Sequence, residues 1–91
     1  MNISRNSVPV LRRGVRRQFD AARNAPVLQA PERVVVLDEI ADAILGECAA
    51  GGCLGQVSER LAVRFQAPRE VVEADVIAFF QELFDEGLLV A

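Results

Sequence analysis

The chain has 91 residues, enough for one domain with a modest core and too few for two. At 52% hydrophobic and 25% charged residues it has the composition of a folded chain rather than a disordered one. It has no His, Lys, Tyr or Trp and only two Cys. The commonest general base, the Schiff-base amine and the mixed Cys/His zinc site are therefore missing, and no enzyme, metal or cofactor is expected.

Residues 1–8 are polar and unpatterned and read as a loose N-terminus to a single domain covering 1–91. Arginines at 5, 12, 13, 16 and 17 interrupt any signal-peptide apolar region, and no apolar run approaches the roughly 20 residues of a membrane span. A cytoplasmic protein with no membrane partner is expected. Strands follow. Val10–Arg13 and Val15–Phe19 flank Gly14, and the second alternates Val15, Arg17 and Phe19 against Arg16 and Gln18. Asp20–Asn24 is a turn, and Pro26-Val27-Leu28-Gln29 makes a third strand, placed at a sheet edge by its proline. Pro31-Glu32-Arg33 then breaks the sheet, and Val34–Leu37 leads into the first helix.

Asp38 is the natural N-cap of that helix. Leu37, Ile40, Ala41, Ile44, Leu45 and Cys48 share one arc of it, and Gly51-Gly52 ends it. A second helix spans about Gln56 to Phe65, with Val57, Leu61, Ala62 and Phe65 on one side. Ala67-Pro68 restarts the chain into a third helix that stops at Gly87, after which Leu88-Leu89-Val90 returns to the core. On the third helix Val72, Val76, Ile77, Phe79, Phe80, Leu83 and Phe84 span an arc of about 160°, wider than the roughly 100° stripe of a helix that only covers a core. Either two core elements flank this helix or part of the stripe lines a groove. The fold expected is α+β: a small winged-helix-like domain, a three-stranded antiparallel sheet followed by three helices.

Charge is divided unevenly. All ten basic residues are Arg; residues 1–33 hold seven of them against Asp20 and Glu32, whereas residues 34–91 hold three against eleven acids. Either a basic face awaits an acidic partner or the two halves attract one another. A winged helix-turn-helix regulator of nucleic acid is the main rival reading, with a plain interaction module third. Against the regulator, Pro68–Glu86 carries Arg69 alone against Glu70, Glu73, Asp75, Glu82, Asp85 and Glu86, and phosphates would repel such a helix. No nucleic-acid partner is expected. Cys48 and Cys53 read as a small core residue and a loop residue.

Taken in order, Pro9-Val10-Leu11-Arg12-Arg13-Gly14-Val15-Arg16, Val27-Leu28 ahead of Pro31-Glu32, Ile44-Leu45, and finally Asp75-Val76, Phe79, Leu83 and Gly87-Leu88-Leu89 resemble the PqqD family over Pro9 to Leu89. The segment Cys48–Gly55 departs from it, being longer than the family's Asp-Gly turn and lacking a Ser or Thr cap. The resemblance implies a peptide chaperone of pyrroloquinoline quinone (PQQ) biosynthesis. Such a chaperone binds a short ribosomal precursor peptide and presents it to a radical S-adenosylmethionine (SAM) enzyme that crosslinks its Glu and Tyr side chains. It also implies that the peptide is taken up as an added strand between the third strand and the last helix, which is β-augmentation. On this sequence the strand is Val27, Leu28 and Gln29, and the groove wall is Val76, Phe79, Phe80 and Leu83. Arg12, Arg13, Arg16 and Arg17 would steer an acidic peptide by long-range attraction. The same uncovered edge would let two copies pair as a homodimer, in competition with peptide.

Overall fold

The computed structural model describes residues 2–91. In chain order the elements are β1 (Val10–Leu11), β2 (Arg16–Asp20), β3 (Ala25–Gln29), β4 (Val34–Val36), α1 (Glu39–Ala49), α2 (Leu54–Phe65), α3 (Arg69–Asp85) and β5 (Leu89–Val90). Three helices and a three-stranded antiparallel sheet make the α+β domain that the patterning predicts, but the strands are assigned differently. The sheet runs β2-β3-β4, and β1 leaves it to pair with β5 in a separate antiparallel ribbon.

The β2–β3 hairpin is closed by an Asx turn. The Asp20 carboxylate accepts the Ala22 and Arg23 N–H groups at 2.9 and 3.3 Å, and Asn24 takes the left-handed conformation such a turn favours. Val34-Val35-Val36, expected to lead into the first helix, is instead the third strand of the sheet. Three consecutive β-branched residues crowd a helix and suit a pleated strand. With β4 in place, β3 is the central strand and not an edge, which corrects the expectation drawn from Pro26. That proline lies opposite Leu37, one residue beyond the end of β4, where its carbonyl still accepts the Leu37 N–H and only the return bond of this last pair is lost to its missing N–H.

Period-two alternation puts Leu28, Ala30, Val35 and Leu37 on the sheet face that packs on the helices. There they meet Ile44 and Leu45 of α1, Leu54, Val57 and Leu61 of α2, and Val76, Phe80 and Leu83 of α3, with Leu88 and Leu89 returning from the C-terminal end. Asp38 caps α1 as expected, its carboxylate accepting the Ala41 N–H at 2.7 Å. The helix α2 begins two residues earlier than the periodicity suggested, with Cys53 as its N-cap and the Gln56 side chain reaching back to accept the Cys53 N–H at 3.0 Å, the N3 half of a capping box. At the end of α3, Gly87 adopts positive φ while its N–H and that of Leu88 bond back to Phe84 and Leu83, turning the chain into β5.

Of the segment 1–8 expected to be loose, Met1 lies outside the described residues, and Ile3 to Ser7 are held in place. Ile3 is buried, its N–H donates to the Gln81 side chain at 2.8 Å, and the Arg5 and Ser7 carbonyls accept the first N–H groups of α2 from Gly55 and Leu54. Short-range polarity hid this, since the partners lie some 50 to 80 residues away.

Candidate functional site

The residues singled out from sequence divide sharply. Val27 and Leu28 are both fully buried, and Gln29 is half-buried with its amide donating to the Ala30 carbonyl at 3.0 Å. Since β3 is hydrogen-bonded to β2 on one side and β4 on the other, it has no edge to offer a further chain. Direct strand addition to Val27–Gln29, and a homodimer formed there, are excluded by that pairing. On α3, Val76, Phe80 and Leu83 are core residues with almost no exposed surface. Phe79 alone of the four is half-buried, its ring 5.3 Å from that of Phe80 and edge-on to it. The wide arc therefore reflects both readings at once. The sheet, α2 and the β5 tail enclose most of it, and a remnant faces outward.

The open edge is one strand further on. Ala30 N–H bonds to the Arg33 carbonyl and Leu37 N–H to the Pro26 carbonyl, each at 2.9 Å. Antiparallel ladders alternate, so Leu28 and Val35 form the hydrogen-bonded pair between them, and the N–H and C=O groups of Val34 and Val36 point away from β3. Among the described residues nothing pairs with them. This edge is tied to α3 at one end only. There Arg33, just before β4, reaches the Glu86 carboxylate at 3.6 Å and its backbone carbonyl at 3.3 Å.

Apolar surface is exposed on β4 and just after it. Val36 is 56% exposed and Ile40 66%, although helical periodicity had put Ile40 in the core; it sits in the first turn of α1, where the chain has just left the sheet. Beyond it a hollow of about 230 Å³ is lined by Ile40, Ile44, Leu61, Phe65, Val72 and Val76, with the Asp75 carboxylate as its one charged group. Phe65, expected in the core, is half-exposed at the end of α2, with the Arg64 guanidinium 5.2 Å above its ring. In general an open β-edge can pair with an extended chain through main-chain bonds, and apolar hollows near such an edge can choose among side chains. The signal for it was the Val34-Val35-Val36 run after a Pro31-Glu32-Arg33 turn.

The four hairpin arginines do not act alike. Arg17 donates to Asp42 of α1 at 2.7 Å and is occupied, while Arg12, Arg13 and Arg16 are exposed and outside every ion pair among the described residues. Neither cysteine forms a disulfide. Burial pushes the Cys48 thiol up, away from the thiolate a nucleophile needs, and Cys53 is the N-cap of α2. No helix among the described residues is long and apolar enough to cross a membrane.

Fold and edge together define a small winged-helix-like domain whose sheet ends in a strand with one open edge. Residues 27–89 match the family model described as coenzyme PQQ synthesis protein D (PqqD). A PqqA binding protein of Bradyrhizobium diazoefficiens is 43% identical over 98% of this chain and 86% of its own length. The chain belongs to the PqqD family. Its fold superposes with a TM-score of 0.81 on the solution structure of the PqqD truncation of Methylobacterium extorquens PqqCD, described as a functional, stand-alone recognition element for ribosomally synthesized and post-translationally modified peptides. That match is 32% identical and covers 98% of this chain and 95% of the other. The crystal structure of PqqD from Xanthomonas campestris is 43% identical, with coverage of 99% and 100%, and superposes with a TM-score of 0.60.

Proposed function

We propose that this chain is a peptide chaperone of PQQ biosynthesis that binds the ribosomal precursor peptide as an added strand on β4, against the outward remnant of α3. The observation that carries this reading is the unpaired edge at Val34 and Val36, with exposed apolar surface on it at Val36 and just after it at Ile40. The family supports it, since full-length relatives are named for binding PqqA and a close structural match is named as a peptide recognition element. Val27, Leu28 and Gln29 serve the site by holding β4 in register, and Val76, Phe80 and Leu83 by fixing α3. The bound peptide is then presented in the cytoplasm to a radical SAM enzyme for Glu–Tyr crosslinking. No chemistry falls to this chain itself.

Amide hydrogen exchange with and without the synthetic precursor peptide tests the site. Binding should slow exchange at Val34 and Val36, whose N–H groups gain partners, and leave the outer amides of β2 unchanged. Protection of Arg16–Asp20 without protection of β4 would move the peptide to the opposite edge and refute the assignment.

A further inference from the structure

Seven of the ten arginines are paired with carboxylates: Arg5 with Glu73, Arg17 with Asp42, Arg23 with Asp20, Arg33 with Glu86, Arg60 and Arg64 with Glu47, and Arg69 with Glu70 and Glu73. The three outside every ion pair among the described residues, Arg12, Arg13 and Arg16, sit close together in sequence: Arg12 and Arg13 on the turn between β1 and β2, and Arg16 at the first position of β2. In a chain of net charge −3, the unneutralised positive charge is thus gathered at one place.

That place is concave. The turn packs against the β3–β4 turn closely enough that a Cβ on Gly14 would stand 3.3 Å from the Pro31 ring. Between the two turns and the end of α3 opens a hollow of about 480 Å³, walled by Arg12, Arg13, Arg33 and Glu86 over Val15 and Leu88. Arg33 and Glu86 satisfy one another, and Glu32, also on the wall, is in no ion pair among the described residues, so the lining of three arginines and two glutamates keeps a net positive charge. Two guanidinium groups are left without a partner, each a planar fork of donors matched to a carboxylate.

The hollow also lies in line with the open edge. Arg33 immediately precedes β4 and Glu86 caps α3, so their bridge marks the end of the gap between strand and helix. An extended chain paired with Val34 and Val36 that continues past this bridge, advancing about 3.3 Å per residue, enters the hollow within two or three residues.

We infer that this hollow is a carboxylate subsite of the peptide groove, in which Arg12 and Arg13, with Arg16 at the rim, bind acidic side chains of the peptide two or three residues beyond the segment paired with β4. It rests on the β4 reading and narrows the ligand to a peptide with an apolar segment flanked on one side by Asp or Glu. It also replaces a diffuse field from four arginines with a local contact from three, Arg17 being held by Asp42.

Titration calorimetry decides it, using the full chain, the synthetic precursor peptide, and a copy of that peptide with Asp and Glu outside the apolar segment replaced by Asn and Gln. Arg12→Gln/Arg13→Gln should weaken the natural peptide roughly five- to tenfold, the sum of two exposed but well-aimed ion pairs. It should weaken the neutral copy less than twofold. Arg23→Gln, which removes a charge at the far hairpin end, should change neither. Equal weakening of both peptides, or unchanged affinity for the natural one, overturns the subsite; in the second case the arginines face another surface, such as a partner protein. Slowed exchange at Val34 and Val36 in the same samples separates the two failures. If it persists, only the subsite is wrong; if it is absent, the β4 reading falls first.

Discussion

Phe79→Ala and Leu28→Ala should damage the protein in different ways. Leu28 is fully buried at the centre of the sheet, in contact with the core formed by all three helices. Its truncation leaves a cavity that neighbours on a central strand cannot close, at a cost of about 2–5 kcal/mol. For a domain of this size that is a fall in Tm of roughly 10–30 °C, a large share of total stability. Phe79 is only half-buried, and the contact it surrenders is the edge-on pairing with Phe80 at 5.3 Å, worth about 0.5–1.5 kcal/mol beyond area. Its truncation should cost about 1–2 kcal/mol, well short of the ~3–5 kcal/mol of a buried phenylalanine. Thermal unfolding followed by far-UV circular dichroism ranks the two, and calorimetry with precursor peptide then reads the site. Phe79→Ala should stay folded and bind several-fold more weakly. Should it match Leu28→Ala in stability loss, the helix face is closed; should it keep full affinity, Phe79 is no part of the groove.

Asp38→Ala removes the N-cap of α1 and should cost about 1 kcal/mol in denaturant unfolding without shifting peptide affinity. The Arg23 side-chain hydrogen bond holds the Asp20 carboxyl below its ordinary value, so whatever stability this pair adds is present above the unfolded pKa and lost as pH falls through the folded one. An NMR titration should show the Asp20 midpoint rising in Arg23→Gln. Fluorescence anisotropy with genomic duplexes at about 150 mM salt should show no specific binding, given the acidic α3; sub-micromolar affinity would contradict this. If a dimer forms through the β4 edge, sedimentation velocity should show its fraction falling as peptide is added, and an unaffected dimer would place association elsewhere.

Elements whose stabilising partner is local in sequence could be read directly. The Asp38 cap, the Asp20 turn, the Gly87 stop and the length of α3 all depend on residues within a few positions. Features that depend on distant partners could not. Pro26 signals an edge only until one knows that the neighbouring ladder ends beside it. Val10-Leu11 looks like half of a hairpin with β2, yet its partner is Leu89-Val90. Ile3 gives no sign that Gln81 awaits it. The proposed site shows the same blindness by one strand, since Val27–Gln29 proved interior and the open edge is β4, and along α3 periodicity could not separate Phe79, which keeps some surface, from Phe80, which keeps almost none.

The ribbon in which Val10 pairs with Val90 has a bearing on how the molecule is made. It closes a loop of about eighty residues, and Leu88 and Leu89 complete the core only when that loop shuts. Synthesis runs from the N-terminus, so sheet and helices leave the ribosome with the underside of Phe80 and Leu45 still uncovered. Closure entropy grows only slowly with loop length, so the contact is affordable, but it comes late and favours slower folding than the local helix pairs alone would allow. A chain halted at Gly87 would keep every helix and the whole three-stranded sheet, yet expose an apolar seam and leave β1 without its partner.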